Sequence, residues 1–88
     1  NTVIIARTDA RAVEGLDAEV IEIEVKDGSN VLLQPLKNLN FPKDGIVGGV
    51  IRNNEAKIPR GDFIFQVGDR VLIVTKKEGK KSIESMFK

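Results

Sequence analysis

Alternating apolar and charged residues along the chain predict a small β-rich domain. Between positions 19 and 26, Ile21, Ile23 and Val25 lie on one side of a strand and charged side chains on the other, the two-residue period of a half-buried strand. Apolar runs rich in Val, Ile and Phe predict further extended segments at residues 2–6, 46–52, 56–59, 63–67 and 70–76. Since each run is short, the pattern favours a small sheet.

Polar corners separate these segments. Asn53 and Asn54 predict the turn of a hairpin, because asparagine tolerates the left-handed backbone conformation. The Gly-Asp pairs ending at Asp62 and Asp69 predict two further corners, in which an aspartate bonds nearby backbone groups. We therefore interpret both carboxylates as turn residues and expect no metal, since a Ca²⁺ site needs about six oxygen ligands.

Two short helices are predicted beside the sheet. The leucines within residues 32–39 recur at helical spacing, with Gln34 as the cap, Pro35 as the first helical residue and Asn40 at the end. At the C terminus, the apolar positions of residues 83–87 fall on one helical face. The predicted fold class is thus α+β, a small, mainly antiparallel sheet of four to five strands with two helices.

The domain organisation follows from this pattern. We interpret residues 1–17 as a linker or as an N-terminal strand from a preceding region, and residues 18–88 as the domain. Because the chain begins at Asn1 and not at a methionine, we expect it to be part of a longer protein.

The amino-acid composition narrows the classes of function that the chain could have. The 88 residues contain 14 Lys and Arg against 13 Asp and Glu, a formal charge of +1 that gives no support to nucleic-acid binding. There is no Cys and no His, which removes thiolate chemistry, the commonest metal ligand and the commonest general base. These absences argue against an enzyme. No run approaches the roughly 20 apolar residues that cross a bilayer.

Three segments, taken in order, resemble a known family. Residues 46–52 read Ile-Val-Gly-Gly-Val-Ile-Arg, residues 58–62 read Ile-Pro-Arg-Gly-Asp, and residues 68–71 read Gly-Asp-Arg-Val. Their order and spacing resemble the C-terminal regulatory domain of Trk-type potassium-uptake regulators, the TrkA-C or RCK-C domain. The resemblance extends back to residue 19. It implies a cytosolic regulatory domain that senses a ligand, dimerises and takes part in gating potassium ion transport, and no catalysis.

The resemblance also implies a ligand site. In some members of the family, cyclic di-AMP binds across the symmetric groove of a dimer, held by apolar residues of the matching strand, a basic or polar group and a proline. The matching positions here are Ile46, Val47, Arg52 and Pro59. The NAD or ATP of such regulators belongs to a nucleotide-binding domain that is absent from this fragment, so no cofactor is expected here.

The residues alone leave other interpretations open. An arginine at a strand end, such as Arg52, is more often a solvated charge or the partner of a nearby glutamate. Gly48 and Gly49 interrupt an apolar strand, which indicates a bulge, a subunit interface or the floor of a pocket. The five lysines from Lys76 onward fit a solvated turn and helix, or contact with an acidic membrane surface.

The expected partners are a second copy of the chain and, through the parent protein, a membrane potassium transporter subunit, with no nucleic acid. The expected location is cytoplasmic, peripheral to the inner face of the plasma membrane. Three alternatives remain. They are a purely structural dimerisation module without a ligand, the regulatory domain of a different cation transporter or antiporter, and a small hydrolase or isomerase domain using Asp62 or Asp69 with a lysine.

Overall fold

The computed structural model describes residues 5–6 and 18–88. Within them, five strands form one antiparallel sheet. The strands are β1 (Ile5–Ala6), β2 (Ala18–Glu24), β3 (Gly45–Arg52), β4 (Glu55–Lys57) and β5 (Arg70–Lys76). Among the described residues there is one α-helix, α1 (Lys80–Met86), which follows the last strand after a 3₁₀ turn at Lys77–Gly79. The predicted α+β class with a mainly antiparallel sheet is confirmed.

The last strand in sequence is the middle strand of the sheet. The spatial order is β1-β2-β5-β3-β4, and every neighbouring pair is antiparallel. The Val-Leu-Ile-Val run of β5 pairs with β2 along one edge and with β3 along the other, and Val71 and Ile73 on its core face are fully buried. On β2 the predicted alternation is confirmed, since Ile21 and Ile23 are fully buried between half-buried glutamates.

The core lies on one face of the sheet. Val71 and Ile73 of β5 and their neighbours on β2 and β3 meet Ile83 and Phe87 from the C-terminal segment. Phe65 joins them, with its ring centroid 5.8 Å from that of Phe87. The buried apolar set is Ile21, Ile23, Val25, Val31, Val50, Phe65, Val71, Ile73, Ile83 and Phe87. The predicted packing of a C-terminal helix on the sheet is confirmed.

The hairpin between β3 and β4 uses the predicted asparagine turn. Asn53 and Asn54 have φ of 52° and 66°, the two consecutive positive values of the turn type that matches the twist of a two-residue hairpin. The returning strand is shorter than expected. It covers Glu55–Lys57, and Pro59 follows two residues later, where the missing N–H prevents regular pairing from continuing.

One predicted helix is only a single turn. Residues 32–39 contain no α-helix, and the structure has one 3₁₀ turn at Leu36–Asn38, with Pro35 in the cap position expected for Gln34. The Leu36 N–H donates to the carbonyl of Phe63 and the Lys37 N–H to that of Gly61. These are first-turn donors, which any helix leaves without an internal acceptor, so the two bonds fix the position of the turn. Leu39 and Asn40 then end the turn, Asn40 with φ of 52°.

Two other predicted segments differ in extent. Residues 63–67 form no ladder, only isolated bridges from Ile64 to Pro35 and from Phe65 to Leu32. Of the predicted run 2–6, the structure describes Ile5–Ala6, which pairs with β2 at the edge of the sheet. The rest of the segment interpreted as a linker or N-terminal strand, residues 1–4 and 7–17, lies outside the described residues.

Candidate functional site

The most exposed side chain of β3 marks the candidate site. Ile46 is 65% exposed although it lies in a strand, opposite Val74 of β5. Successive side chains of a strand point to opposite faces of the sheet. Val47 and Ile73 point toward the core, so Ile46 and Val74 point to the other face, where they are exposed. An isoleucine left in solvent near the start of a strand is surface available for contact.

Two open depressions lie on either side of Ile46. One is apolar, and the residues lining it are Leu36, Phe41, Gly45, Ile46 and Val47. The other has an almost entirely apolar wall, and the residues lining it are Ala18, Lys43, Asp44, Gly45, Ile46, Val74, Thr75 and Lys76. Gly45 and Ile46 belong to both. The structure therefore places two mainly apolar surfaces next to one exposed isoleucine, and two lysines and one aspartate contribute to the second of them.

Two of the residues expected at a ligand site lie together here, and two do not. Ile46 and Val47 line the apolar depression. Arg52 is six residues further along the same strand, about 20 Å away at the usual rise of about 3.3 Å per residue. Pro59 is half-buried beyond β4 and lines neither depression. Within a single chain, only Ile46 and Val47 of the four residues line a common depression.

Arg52 is held inside its own chain. Its Nε donates to Asp69 Oδ1 at 2.8 Å and its Nη2 to Asp69 Oδ2 at 2.7 Å, a two-bond pairing with the carboxylate. Nη2 also donates to the carbonyl of Ile64 at 3.0 Å, and the guanidinium carbon lies 4.7 Å from the ring centroid of Phe63. The partner carboxylate predicted for Arg52 exists, but it is an aspartate 17 residues away.

Burial makes this pair strong. The side chain of Asp69 is 1% exposed and that of Arg52 is 18% exposed, so water competes weakly for the bonds. Asp69 Oδ2 also accepts the backbone N–H of Gln66 at 2.8 Å, which makes Asp69 the turn residue that the sequence predicts. The hydrogen bond to Asp69 raises the pKa of Arg52, burial opposes that shift, and the charge of Asp69 adds to it.

Sequence reasoning missed most of the residues around Ile46. Leu36 and Phe41 belong to a segment interpreted as a helix and a loop, and Lys43 and Lys76 are separated by 33 positions in the chain (76 − 43). The backbone joins them, because the Lys76 N–H donates to the carbonyl of Asp44 at 2.8 Å. The one feature of the sequence that could have indicated this contact is the short separation of five residues between Phe41 and Ile46, which allows Phe41 to fold back beside the strand.

The described residues offer little to catalysis or metal binding. They contain no group of three or more His, Cys, Asp or Glu side chains that could hold a metal ion. Asp62 lies in an exposed turn, and Asp69 is engaged by Arg52. No helix among the described residues is long and apolar enough to cross a membrane.

A family model decides the relationship of this chain. The model of the TrkA-C domain matches residues 20–88, from the third residue of β2 to the last residue of the chain. The chain belongs to the TrkA-C domain family. The match includes β3, the Arg52–Asp69 pair and α1, so the whole core of this TrkA-C domain lies inside the family region.

The relatives of this TrkA-C domain are potassium uptake proteins. It is 40% identical over 76 residues to Trk system potassium uptake protein TrkA homolog 1 of Methanosarcina mazei, which covers 86% of this chain and 17% of that protein. It is 34% identical over 73 residues to the TrkA homolog of Archaeoglobus fulgidus, and the match covers 83% of this chain and 17% of that protein. It is 28% identical over 71 residues to the TrkA homolog of Pyrococcus abyssi, and the match covers 80% of this chain and 31% of that protein. The chain thus spans about a sixth of the first two relatives.

A solved structure shares the fold. It is described as the structure of an RCK domain with cda, and it superimposes with a TM-score of 0.68 at 29% sequence identity. The match covers 78% of this chain and 97% of that chain. The small antiparallel sheet with one helix is therefore the RCK-C fold.

Proposed function

We propose that this TrkA-C domain is a ligand-sensing, dimer-forming regulatory module of a Trk-type potassium uptake system, where it takes part in gating potassium ion transport. The observation that carries the proposal is the exposed Ile46 between two depressions, on the strand that carries the resemblance. The named relatives support the potassium system as the setting. The proposed ligand is cyclic di-AMP.

The surface around Ile46 has the chemistry that a cyclic dinucleotide needs. Apolar contacts to the bases would come from Ile46 and Val47, with the ring of Phe41 beside them. Lys43 and Lys76 line the second depression together with Asp44, and in this proposal their ammonium groups would bind the phosphates from its edge. Arg52 lies about 20 Å from Ile46 along the same strand and Pro59 lines neither depression, so in this proposal both join the site from the second protomer.

Regulation then requires a difference between two states of the dimer. A ligand that contacts both protomers favours the arrangement in which both sets of contacts are made, and it shifts the population by its difference in affinity. Through the parent protein, the changed arrangement would act on a membrane potassium transporter subunit at the inner face of the plasma membrane. The domain itself supplies binding energy and geometry, with no bond made or broken.

The test is thermal unfolding of the 88-residue chain with cyclic di-AMP and with cyclic di-GMP as the ligand control. Saturation at about 100 times Kd stabilises by about 2.7 kcal/mol, so we expect the melting temperature to rise by more than about 5 °C with cyclic di-AMP. Ile46→Ser should remove the shift. Leu33→Ser is the matched control, because Leu33 is 91% exposed and lies outside both depressions.

The outcomes separate the alternatives. A chain that is dimeric by light scattering but shows no shift with any nucleotide would be a structural dimerisation module, and the ligand-sensing proposal would fail. An equal loss of the shift in Ile46→Ser and Leu33→Ser would place the ligand elsewhere. A shift with cyclic di-GMP as large as with cyclic di-AMP would contradict the proposed ligand.

A further inference from the structure

The tripeptide Lys-Asp-Gly occurs twice in the chain, and the fold gives its two copies opposite surroundings. The first copy is residues 26–28, in the turn after β2, and the second is residues 43–45, where β3 begins. An aspartate followed by glycine can close a ring with the next backbone nitrogen, because glycine has no side chain to obstruct that nitrogen. Since the three residues are identical, a difference in reactivity between the two copies must come from the structure.

The first copy lies in an open turn. Asp27 and Gly28 are both exposed, and the Ser29 N–H donates to the carbonyl of Lys26 at 3.1 Å across the turn. A Cβ built on Gly28 would meet no atom within 4 Å apart from its chain neighbours. None of the described residues accepts a hydrogen bond from the Gly28 N–H. An exposed turn opens locally at little cost, so the Gly28 nitrogen can reach the carboxyl group of Asp27.

The second copy is held in place. Gly45 is buried in β3, and its N–H donates to the carbonyl of Pro42 at 3.2 Å. The carbonyl of Asp44 accepts the N–H of Lys76 at 2.8 Å, so hydrogen bonds fix both sides of the peptide bond between Asp44 and Gly45. A Cβ built on Gly45 would fall 2.5 Å from Ile83 Cδ1, which shows that the space beside this glycine is filled. Ring closure here requires the strand to open first.

We propose that Asp27 is a site of spontaneous covalent modification, at which aspartate rearranges to isoaspartate, and that the fold protects Asp44 from the same reaction. In the first step the Gly28 nitrogen attacks Cγ of Asp27 in its neutral carboxylic acid form. A bond forms between this nitrogen and Cγ, and the bond from Cγ to its hydroxyl oxygen breaks. The hydroxyl leaves as water with the proton of the Gly28 N–H, and the product is a succinimide ring.

Water then opens the ring. It adds to the main-chain carbonyl carbon of Asp27, and the bond from that carbon to the Gly28 nitrogen breaks. The water supplies the hydroxyl of the new α-carboxyl group and the proton of the restored N–H. The main chain now runs through Cβ and Cγ of residue 27, one carbon longer and with unchanged mass. Opening at Cγ instead regenerates aspartate. No oxidant, cofactor or enzyme enters the balance.

The extra carbon falls in a turn that holds the C-terminal residues. Ser29 is 6% exposed, and its Oγ donates to the carbonyl of Phe87 at 2.8 Å. The Asn30 N–H donates to the carbonyl of Lys88 at 2.8 Å. Phe87 is itself fully buried in the core. Because a longer backbone before Ser29 displaces both donors, isoaspartate at position 27 destabilises the segment after α1.

The test follows both aspartates while the 88-residue chain ages at neutral pH below its melting transition, with the same chain in guanidinium chloride as the unfolded reference. Endoproteinase Asp-N cleaves before aspartate but not before isoaspartate, so mass spectrometry of its digests gives the fraction converted at each site. In the folded chain we expect Asp27 to convert at least about tenfold faster than Asp44, because reaction at Asp44 waits for the strand to open. In the unfolded chain the two rates should agree within about threefold.

Asp27→Glu is the blocked control, because glutamate would have to close a larger ring that forms more slowly. It should show no conversion at position 27 and the parent rate at Asp44. The isoaspartyl fraction of the aged parent chain, once separated, should melt at least about 4 °C lower than fresh protein. The Asp27→Glu chain should keep its melting temperature through the same ageing.

Equal rates at Asp27 and Asp44 in the folded chain would overturn the proposed site. So would an Asp27 that stays intact in the folded chain over a period in which the unfolded chain converts. An isoaspartyl fraction that melts with the fresh protein would overturn the role given to the turn in holding the C-terminal residues. These outcomes are independent of dimerisation and of any nucleotide, so the failure of one proposal leaves the other standing.

Discussion

At the scale of single residues, the Arg52–Asp69 pair joins the end of β3 to the turn before β5. Asp69 is almost completely buried, and three hydrogen-bond donors converge on its carboxylate, two from Arg52 and one from the backbone of Gln66. A buried carboxylate without its cation is costly, whereas the pair together is tolerated. Arg52 is therefore needed by the fold whatever ligand the domain binds.

Removing Arg52 should destabilise the chain. Arg52→Ala leaves Asp69 buried without its cation, and we expect the free energy of unfolding to fall by about 3 kcal/mol in urea titrations. Arg52→Ala combined with Asp69→Ala should be less destabilised than the single variant predicts, because the unpaired charge is gone. Arg70→Ala is the control, since Arg70 pairs with Glu22 at 3.3 Å but is 48% exposed and should change stability by less than about 1 kcal/mol. Equal effects of Arg52→Ala and Arg70→Ala would contradict this interpretation.

The sequence could predict the separate roles of Arg52 and Asp69 but not the contact between them. The Gly-Asp corner indicates that Asp69 bonds local backbone, and it does so with Gln66. That Arg52 supplies its counter-charge depends on the order of the strands, because β3 and β5 are neighbours only in the folded sheet. The extension of β3 separates Arg52 from Ile46, two residues that the family resemblance places at one ligand site.

At the scale of elements, the junction between β5 and α1 is built on a contact with the loop before β3. The chain passes from β5 through a 3₁₀ turn at Lys77–Gly79 directly into the helix. Gly79 is buried there against Asp44, whose carbonyl accepts the N–H of Lys76. The position of α1 over the core thus depends on the small size of residue 79.

Gly79→Ala should disturb this junction. Its φ of −88° suits alanine, so backbone strain is no obstacle, but the new Cβ would lie 2.6 Å from Asp44 Cβ and 3.0 Å from Thr75 Oγ1. We expect a loss of about 1–3 kcal/mol in urea unfolding, the usual cost of overpacking. Ser85→Ala, exposed on the same helix, should stay within about 0.5 kcal/mol of the parent. A Gly79→Ala chain as stable as the parent would contradict this expectation and would show that the loop at residues 43–44 shifts without cost to make room for the new Cβ.

Elements with a strong local signal could be predicted, and those set by distant partners could not. The alternation in β2, the apolar run of β5 and the asparagine turn each follow from a few neighbouring residues. The turn at Leu36–Asn38 does not, because distant carbonyls of Gly61 and Phe63 accept its first N–H groups and the chain leaves the helical conformation at Asn40. The place of β5 between β2 and β3 is likewise a property of the whole sheet.

At the scale of the whole molecule, the proposed dimer and the proposed ligand share Ile46 and the residues next to it. If cyclic di-AMP contacts both protomers, the ligand and the second protomer stabilise each other's binding. Thermodynamic linkage then requires the two effects to be equal, so the factor by which the ligand tightens the dimer is the factor by which dimerisation tightens the ligand. Dimer affinity is thus a direct measure of ligand sensing.

Sedimentation equilibrium with and without saturating cyclic di-AMP measures this coupling. We expect the dimer dissociation constant to fall at least about tenfold, a coupling of about 1.4 kcal/mol, which lies in the usual range for linked sites. Replacing Lys43 and Lys76 with glutamine should reduce the coupling, because these lysines line the second depression and would supply the positive charge that the phosphates meet. Leu33→Ser should keep the coupling of the parent chain. A dimer constant that saturating ligand leaves unchanged, despite a clear melting shift, would mean that the ligand binds within one protomer and that the assembly does not report its presence.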